Sequence, residues 1–210
     1  MVTAQQPMNR LDRRKARTRQ ALLDAARAFL AEHGMAEVSI QDLTEAADVG
    51  FGSFYNHFTS KQELFHAAIA DVLEEHGQLL DEVTADIEDP AEIFAASVRK
   101  TARMIWTHPQ IARILAQTGM SYLASEEGLA PRALRDIRRG IEAGRFHIDN
   151  PYVALATTAG SLCALINLWV TDPDVVDEAA CDELTEQVLR MLGMPRRSAH
   201  AIVNRPLPRS

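Results

Sequence analysis

Ser39, Gln41, Ser53, Tyr55, Asn56, His57 and Lys61 gather hydrogen-bonding side chains into one short stretch, SIQDLTEAADVGFGSFYNHFTSK. Groups of this kind bond phosphate oxygens and base edges. A catalytic constellation would instead need a nucleophile, a base and an oxyanion site converging on one point, and no such arrangement is legible in the chain. The seven His form no zinc-type cluster and no HExxH motif. Glu63-Leu64-Phe65-His66 has the Glu-x-x-His spacing of di-metal carboxylate bundles, but no second copy with supporting Glu residues accompanies it. Ser60 and Glu63 are better explained as a capping box. Gly50-Phe51-Gly52 is too short to cradle a phosphate. The expectation is no catalytic residue, no metal, no cofactor and no enzyme.

The elements that would carry this stretch all have helical period, so the fold class is all-α, about nine helices in total. A first helix runs from about Ala16 to His33, with Leu22, Ala25, Ala26, Phe29 and Leu30 on one stripe and Gly34 placed to stop it. Ser39 with Asp42 opens a second helix that ends near Ala47. A third covers about Gly50 to Phe58, and Ser60 starts a long fourth that reaches about Ile87, on the order of 40 Å. Gly77 is its weak point. Asp89-Pro90, His108-Pro109, Gly128 to Pro131, Asn150-Pro151 and Pro173 mark the starts of the fifth to ninth helices, the last ending at Gly193. The tail after Met194 is rich in Pro and Arg and is expected to be disordered. The expected organisation is a flexible basic arm over 1–15, a first helical domain over 16–61, a second over 62–194 and the tail over 195–210.

The chain has 210 residues, is 47% hydrophobic and carries a formal charge of −7. Net acidity is the wrong sign for a partner of DNA, whose binding depends on Lys and Arg displacing counterions. Distribution answers the objection. Residues 1–20 hold Arg10, Arg13, Arg14, Lys15, Arg17 and Arg19 against Asp12 alone, whereas residues 62–210 carry 14 basic against 22 acidic groups. A basic end and an acidic body would orient the molecule on a duplex. Cys163 and Cys181 show no metal spacing and suit a reducing compartment. No signal-peptide run and no uninterrupted apolar stretch near the length of a membrane span is evident, so a cytoplasmic protein without a membrane partner is expected.

The second helix, a three-residue turn and the third helix have the proportions of a helix-turn-helix, whose second helix enters the major groove. On a helical wheel Phe54 and Phe58 share one face at i, i+4, while Gly52, Ser53, Asn56 and His57 point elsewhere. The rings would pin the helix and leave polar groups for the groove. Gly52 would allow close backbone approach.

Residues 17 to 65 resemble the N-terminal domain of TetR-family transcriptional repressors. The likeness lies in the ALLDAARAFLAEHG helix, the Ser39 cap, the turn and the signature Gly52-Ser53-Phe54-Tyr55-Asn56-His57-Phe58-Thr59-Ser60-Lys61-Gln62-Glu63-Leu64-Phe65. It implies DNA contacts from Ser39, Gln41, Gly50, Phe51, Gly52, Ser53, Tyr55, Asn56, His57 and Lys61. Three positions depart from the family: Asp48 where Gly is usual in the turn, Gly50 where Ser often caps, and Thr44 where Ala is common. Phe51 has two readings, since its wheel position borders the buried face while the family places it at the groove, against a thymine methyl.

The same resemblance implies a C-terminal bundle that binds a small molecule and forms a homodimer through its last two long helices. The PYVALATTAGSLCALINLWV helix is apolar nearly all round, which fits burial between a core and a partner subunit. Candidate pocket residues are Phe94, Met104, Trp106, Gln117, Met120, Tyr122, Asn167 and Trp169. The resemblance further implies that ligand binding moves the fourth helix and so changes the separation of two recognition helices, which a palindromic double-stranded operator fixes at about 34–36 Å. The expected function is a ligand-responsive, sequence-specific repressor released by a small apolar or amphipathic molecule. The alternative is a helical bundle that binds a small molecule or protein and has no DNA role.

Overall fold

Capping residues and prolines divide the chain into ten α-helices among the described residues, with no strand among them. The computed structural model describes residues 9–32, 38–118, 120 and 126–208. The helices are α1 (Arg10–Glu32), α2 (Ile40–Ala46), α3 (Phe51–Phe54), α4 (Lys61–Val83), α5 (Pro90–Thr107), α6 (Pro109–Thr118), α7 (Leu129–Glu142), α8 (Pro151–Thr171), α9 (Glu178–Met191) and α10 (Arg196–Val203). A 3₁₀ turn, Pro173–Val175, follows α8. Asp89, Asn150 and Asp177 cap α5, α8 and α9 through their side chains, and Pro opens α5 and α8 at the position where its missing N–H costs nothing.

Two compact units result, residues 1–69 and 70–210. In the first, α1 packs on α2 and α2 on α3. Leu22, Leu23 and Ala26 of α1, Leu43 of α2, Phe54 and Phe58, and Leu64 and Phe65 of α4 are buried there. In the second, α5 lies at the centre and packs on α6, α7, α8, α9 and α10. Phe94 of α5 meets Phe146 edge to face, ring centroids 5.6 Å apart, at the heart of that core.

Several boundaries differ from the sequence-based expectation. The basic run is helical from Arg10 onward, because Asn9 Oδ1 accepts the Asp12 N–H at 2.9 Å and starts α1 early. Residues 1–8 and the expected stop at Gly34 lie outside the described residues. Helix α3 is one short turn followed by hydrogen-bonded turns through Phe58, and α4 ends at Val83. The expected disordered tail contains a tenth helix, α10, which buries Ala199, Ile202 and Val203 at i, i+3, i+4. Arg99 fastens it further by donating to the Arg205 carbonyl at 2.8 Å. The Arg and Pro content had masked that short stripe.

Helix α8 (Pro151–Thr171) is long and apolar enough to cross a membrane by length and composition, contrary to the reading of the sequence. Here it packs against α5, α6, α7 and α9. Its exposed apolar side chains include Val153, Leu168 and Val170.

Candidate functional site

Local chemistry explains why α2, the turn and α3 hold their shape. Ser39 Oγ accepts the Asp42 N–H at 3.1 Å while Asp42 Oδ2 accepts the Ser39 N–H at 2.9 Å, a reciprocal cap. These bonds from Ser39 hold the Asp42 carboxyl below its ordinary pKa. At the other end Val49 N–H donates to Thr44 O and Asp48 N–H to Glu45 O, with Asp48 at φ +52°. This is the two-bond helix stop that usually takes Gly, and Asp is among the few other residues tolerated in the left-handed region. Thr44 is buried and spends its hydroxyl on the Gln41 carbonyl at 2.9 Å. Both departures from the family pattern thus fit the backbone.

Gly50 caps α3 from extended backbone, φ −66° and ψ 141°, without a side-chain bond. Phe54 is fully buried and Phe58 nearly so, as the wheel predicts. Phe51 and Tyr55, at 53% and 54% exposure, stand outward with ring centroids 5.8 Å apart. The two-way reading of Phe51 therefore resolves to the exposed side. Gly52 and Asn56 are exposed beside them, and Ser53 and His57 are half-buried. A Cβ on Gly52 would find nothing within 4 Å, so packing within the protein does not explain a glycine there.

His57 sits near the basic face of α1. Burial lowers its pKa first, and the charges of Lys15 and Arg19 lower it further. Arg19 lies over the Phe58 ring at 5.4 Å. Lys61 is half-buried and donates from Nζ to the Val38 carbonyl at 2.7 Å, tying the start of α4 to the entry of α2. Glu63 answers a different partner from the one expected: Ser60 Oγ accepts its N–H at 3.1 Å, but its carboxylate accepts from Thr59, at 2.6 Å from the backbone N–H. Among the described residues no group of three His, Cys, Asp or Glu side chains is placed to hold a metal.

The second unit contains a cavity of about 110 Å³, walled by α4, α5, α6, α7 and α8. On α5 the wall is Phe94, Ser97, Val98 and Thr101, and on α8 it runs from Leu155 through Thr158, Ala159, Leu162 and Cys163 to Ile166. Both sets follow helical spacing. The opposite side is charged. Arg132 of α7 bonds Glu74 of α4 with two short contacts and Asp81 with a third, each at 2.7 Å. Arg135 reaches Asp81 and Asp136, both at 2.8 Å. Bonds from Arg132 and the Gly128 N–H pull Glu74 down to a pKa of about 2. Burial pushes Asp81 up, but Arg132 and Arg135 outweigh it and leave it below its ordinary value. His76 of α4, 7% exposed, has its pKa lowered to about 4 by burial and by nearby His108 and Lys100.

Of the residues expected in a pocket, Phe94 lies in this wall. Met104 is buried elsewhere, Trp106, Met120 and Asn167 are exposed, and Trp169 is half-buried under the Arg113 guanidinium. The Gln117 side chain and Tyr122 lie outside the described residues. The choice by side-chain type ignored helix rotation: Trp106 follows Phe94 by twelve positions, about 120° around the helix. Thr158, Asp81, Arg132 and Arg135 line the cavity and are not among the residues expected there. The available signals were charged side chains in the apolar register of α4 and α7 and the Thr157-Thr158 pair within an apolar helix.

Comparison with known proteins agrees with this architecture. Residues 22–68 match the model of bacterial regulatory proteins of the tetR family, and residues 89–205 match a tetracyclin repressor-like C-terminal domain. The transcriptional repressor KstR2 of Mycobacterium tuberculosis is 26% identical over 140 residues, 62% of this chain and 70% of that protein. A probable acrEF/envCD operon repressor of Escherichia coli is 23% identical over 90% of this chain and 92% of its own. The crystal structure of RolR in complex with resorcinol superposes with a TM-score of 0.79 at 34% identity, covering 94% of this chain and 98% of that one. A helix-turn-helix with its polar side outward, a helical bundle around a cavity and two family matches spanning most of the length agree: the chain belongs to the TetR family of ligand-responsive, DNA-binding transcriptional regulators.

Proposed function

We propose that this regulator represses transcription by holding a palindromic operator as a homodimer and releases it when a hydroxylated single-ring aromatic fills the cavity. The observation that carries the DNA reading is the division of α3 and its following turn: Phe54 and Phe58 are buried, whereas Phe51, Gly52, Tyr55 and Asn56 face solvent. Residues 16–61 read the duplex and residues 62–194 bind effector and partner. Ser39, Gln41, Ser53, Tyr55, Asn56 and His57 supply hydrogen bonds, Gly50 and Gly52 let the backbone approach, and Phe51 meets a thymine methyl. Lys61 keeps two N–H groups for a phosphate beyond the one spent on Val38. The homodimer forms through the outer faces of α8 and α9, where Val153, Leu168, Val170 and Met191 are exposed. The protein works in the cytoplasm, without a membrane partner.

The effector class rests on the cavity. At about 110 Å³ it approaches the roughly 150 Å³ that accepts benzene in an engineered core. RolR, 34% identical, has been crystallised with resorcinol. α4 is one continuous helix from Lys61 to Val83, so a shift of its cavity end is available to the end that follows the reading helix. A gel shift on the intergenic DNA beside the gene, titrated with phenol, resorcinol and a long-chain fatty acid, tests the reading. Release by the two phenols and not by the fatty acid is expected; release by the fatty acid alone would overturn the effector class.

A further inference from the structure

Thr158 is 3% exposed and lies in the cavity wall, and its Oγ1 is buried without a hydrogen-bond partner. Other hydroxyls on the same helix behave differently. Thr157 donates to the Val153 carbonyl at 2.8 Å, Ser161 to the Thr157 carbonyl at 2.8 Å and Thr171 to the Asn167 carbonyl at 2.9 Å. Folding back onto the helix is thus the ordinary outcome for an α8 hydroxyl. Thr158 forgoes it. A buried polar atom left unsatisfied costs stability, and such an atom in a native structure calls for an explanation.

Thr101, Arg132 and Arg135 of the wall are already engaged, whereas Ser97 adds a half-buried hydroxyl on α5. Thr101 Oγ1 lies 3.3 Å from His76 Nε2. Arg132 is taken by Glu74 and Asp81, and Arg135 by Asp81 and Asp136. An entering molecule therefore meets paired charges on α4 and α7, apolar groups from Phe94, Val98, Leu155, Leu162 and Ile166, and at Thr158 a buried hydroxyl with unused bonding capacity. A hydroxyl can donate or accept, so it suits a partner that does either.

We propose that Thr158 anchors and selects the effector, through a hydrogen bond between its Oγ1 and a phenolic hydroxyl on a ring seated against the apolar wall. The inference rests on the single-ring reading of the effector given above and adds the residue that distinguishes a hydroxylated ring from a bare one. The bond gives Thr158 Oγ1 a partner that no other protein group supplies, so discrimination against the unsubstituted ring arises from that hydroxyl.

The test uses the full chain, Thr158→Val and Thr158→Ser, with benzene, phenol and resorcinol as probes in calorimetric titrations. Val keeps the shape and replaces the hydroxyl with a methyl; Ser keeps the hydroxyl. Wild type is expected to prefer phenol and resorcinol over benzene, and Thr158→Val to shrink that preference by about tenfold, the scale of one hydrogen bond. Thr158→Ser should retain it. Thermal melts add a readout that needs no ligand: Thr158→Val should melt at or above wild type, since it removes an unsatisfied group. An unchanged preference in Thr158→Val, or a melt several degrees lower, would overturn the role of Thr158 alone. Failure of wild type to bind any of the three probes would take down the single-ring reading and this inference with it.

Discussion

At the scale of single residues, Gly52 and His76 make opposite kinds of prediction. A Cβ at Gly52 would meet nothing within the protein, and glycine inside a helix costs about 0.5–1 kcal/mol relative to alanine. Gly52→Ala should therefore raise the thermal midpoint and, if Gly52 faces the duplex as proposed, weaken operator binding. A variant both more stable and fully DNA-competent would remove the reason for a glycine there. Gly50 has extended backbone at the helix cap and room for a Cβ, its nearest neighbour being Ser53 Oγ at 3.8 Å. Gly50→Ser should stabilise by a few tenths of a kcal/mol in urea unfolding. His76 acts through pH. Its folded pKa of about 4 lies below the ordinary 6.5, so the unfolded chain takes up a proton first as pH falls. The stability it contributes is complete above pH 6.5 and is lost progressively down to about pH 4. Urea midpoints measured across that window should fall in wild type and fall less steeply in His76→Gln.

At the scale of elements, α4 and α7 are joined by a clasp rather than by apolar packing alone. Arg132→Ala would strip Glu74 and Asp81 of their shared partner, with the cost of a lost charge-assisted set, about 1.5–3 kcal/mol. Chemical denaturation of Arg132→Ala beside Arg132→Lys measures it, with Lys restoring only part because it lacks the planar fork. Glu74 has its carboxyl pKa lowered, so its contribution is complete above the ordinary value of 4.5 and disappears as pH falls through about 2. Gly140 illustrates steric fit between α7 and the segment after it: an added Cβ would lie 2.2 Å from the Phe146 ring. Gly140→Ala should destabilise by about 1–3 kcal/mol through overpacking. What the sequence reveals at this scale is what is local. Ser39 with Asp42, Asp89-Pro90 and Asn150-Pro151 announce helix starts because capping bonds span only a few residues. Phe54 and Phe58 announce their burial through the period of one helix. The clasp pairs Arg132 with Glu74 across 58 positions, and no local pattern encodes which helices face each other or how each is rotated.

At the scale of the whole molecule, charge segregation answers the objection raised by a net charge of −7: the basic run from Arg10 to Arg19 is carried on α1, in the unit that holds the helix-turn-helix, and the surplus of acid falls in residues 62–210. Helix α10 shows the limit of composition as a guide, since three apolar residues at the right spacing suffice to dock a segment that reads as a tail. On the proposed reading, the exposed side of α3 contacts operator DNA. Fluorescence anisotropy of the intergenic duplex beside the gene, measured against an unrelated duplex over a series of salt concentrations, decides whether it does. Wild type should prefer its own duplex, lose affinity steeply as salt rises, and lose most of the preference in Tyr55→Ala with Asn56→Ala at an unchanged melting temperature. Equal affinity for both duplexes, or a preference that survives the double substitution, would contradict it.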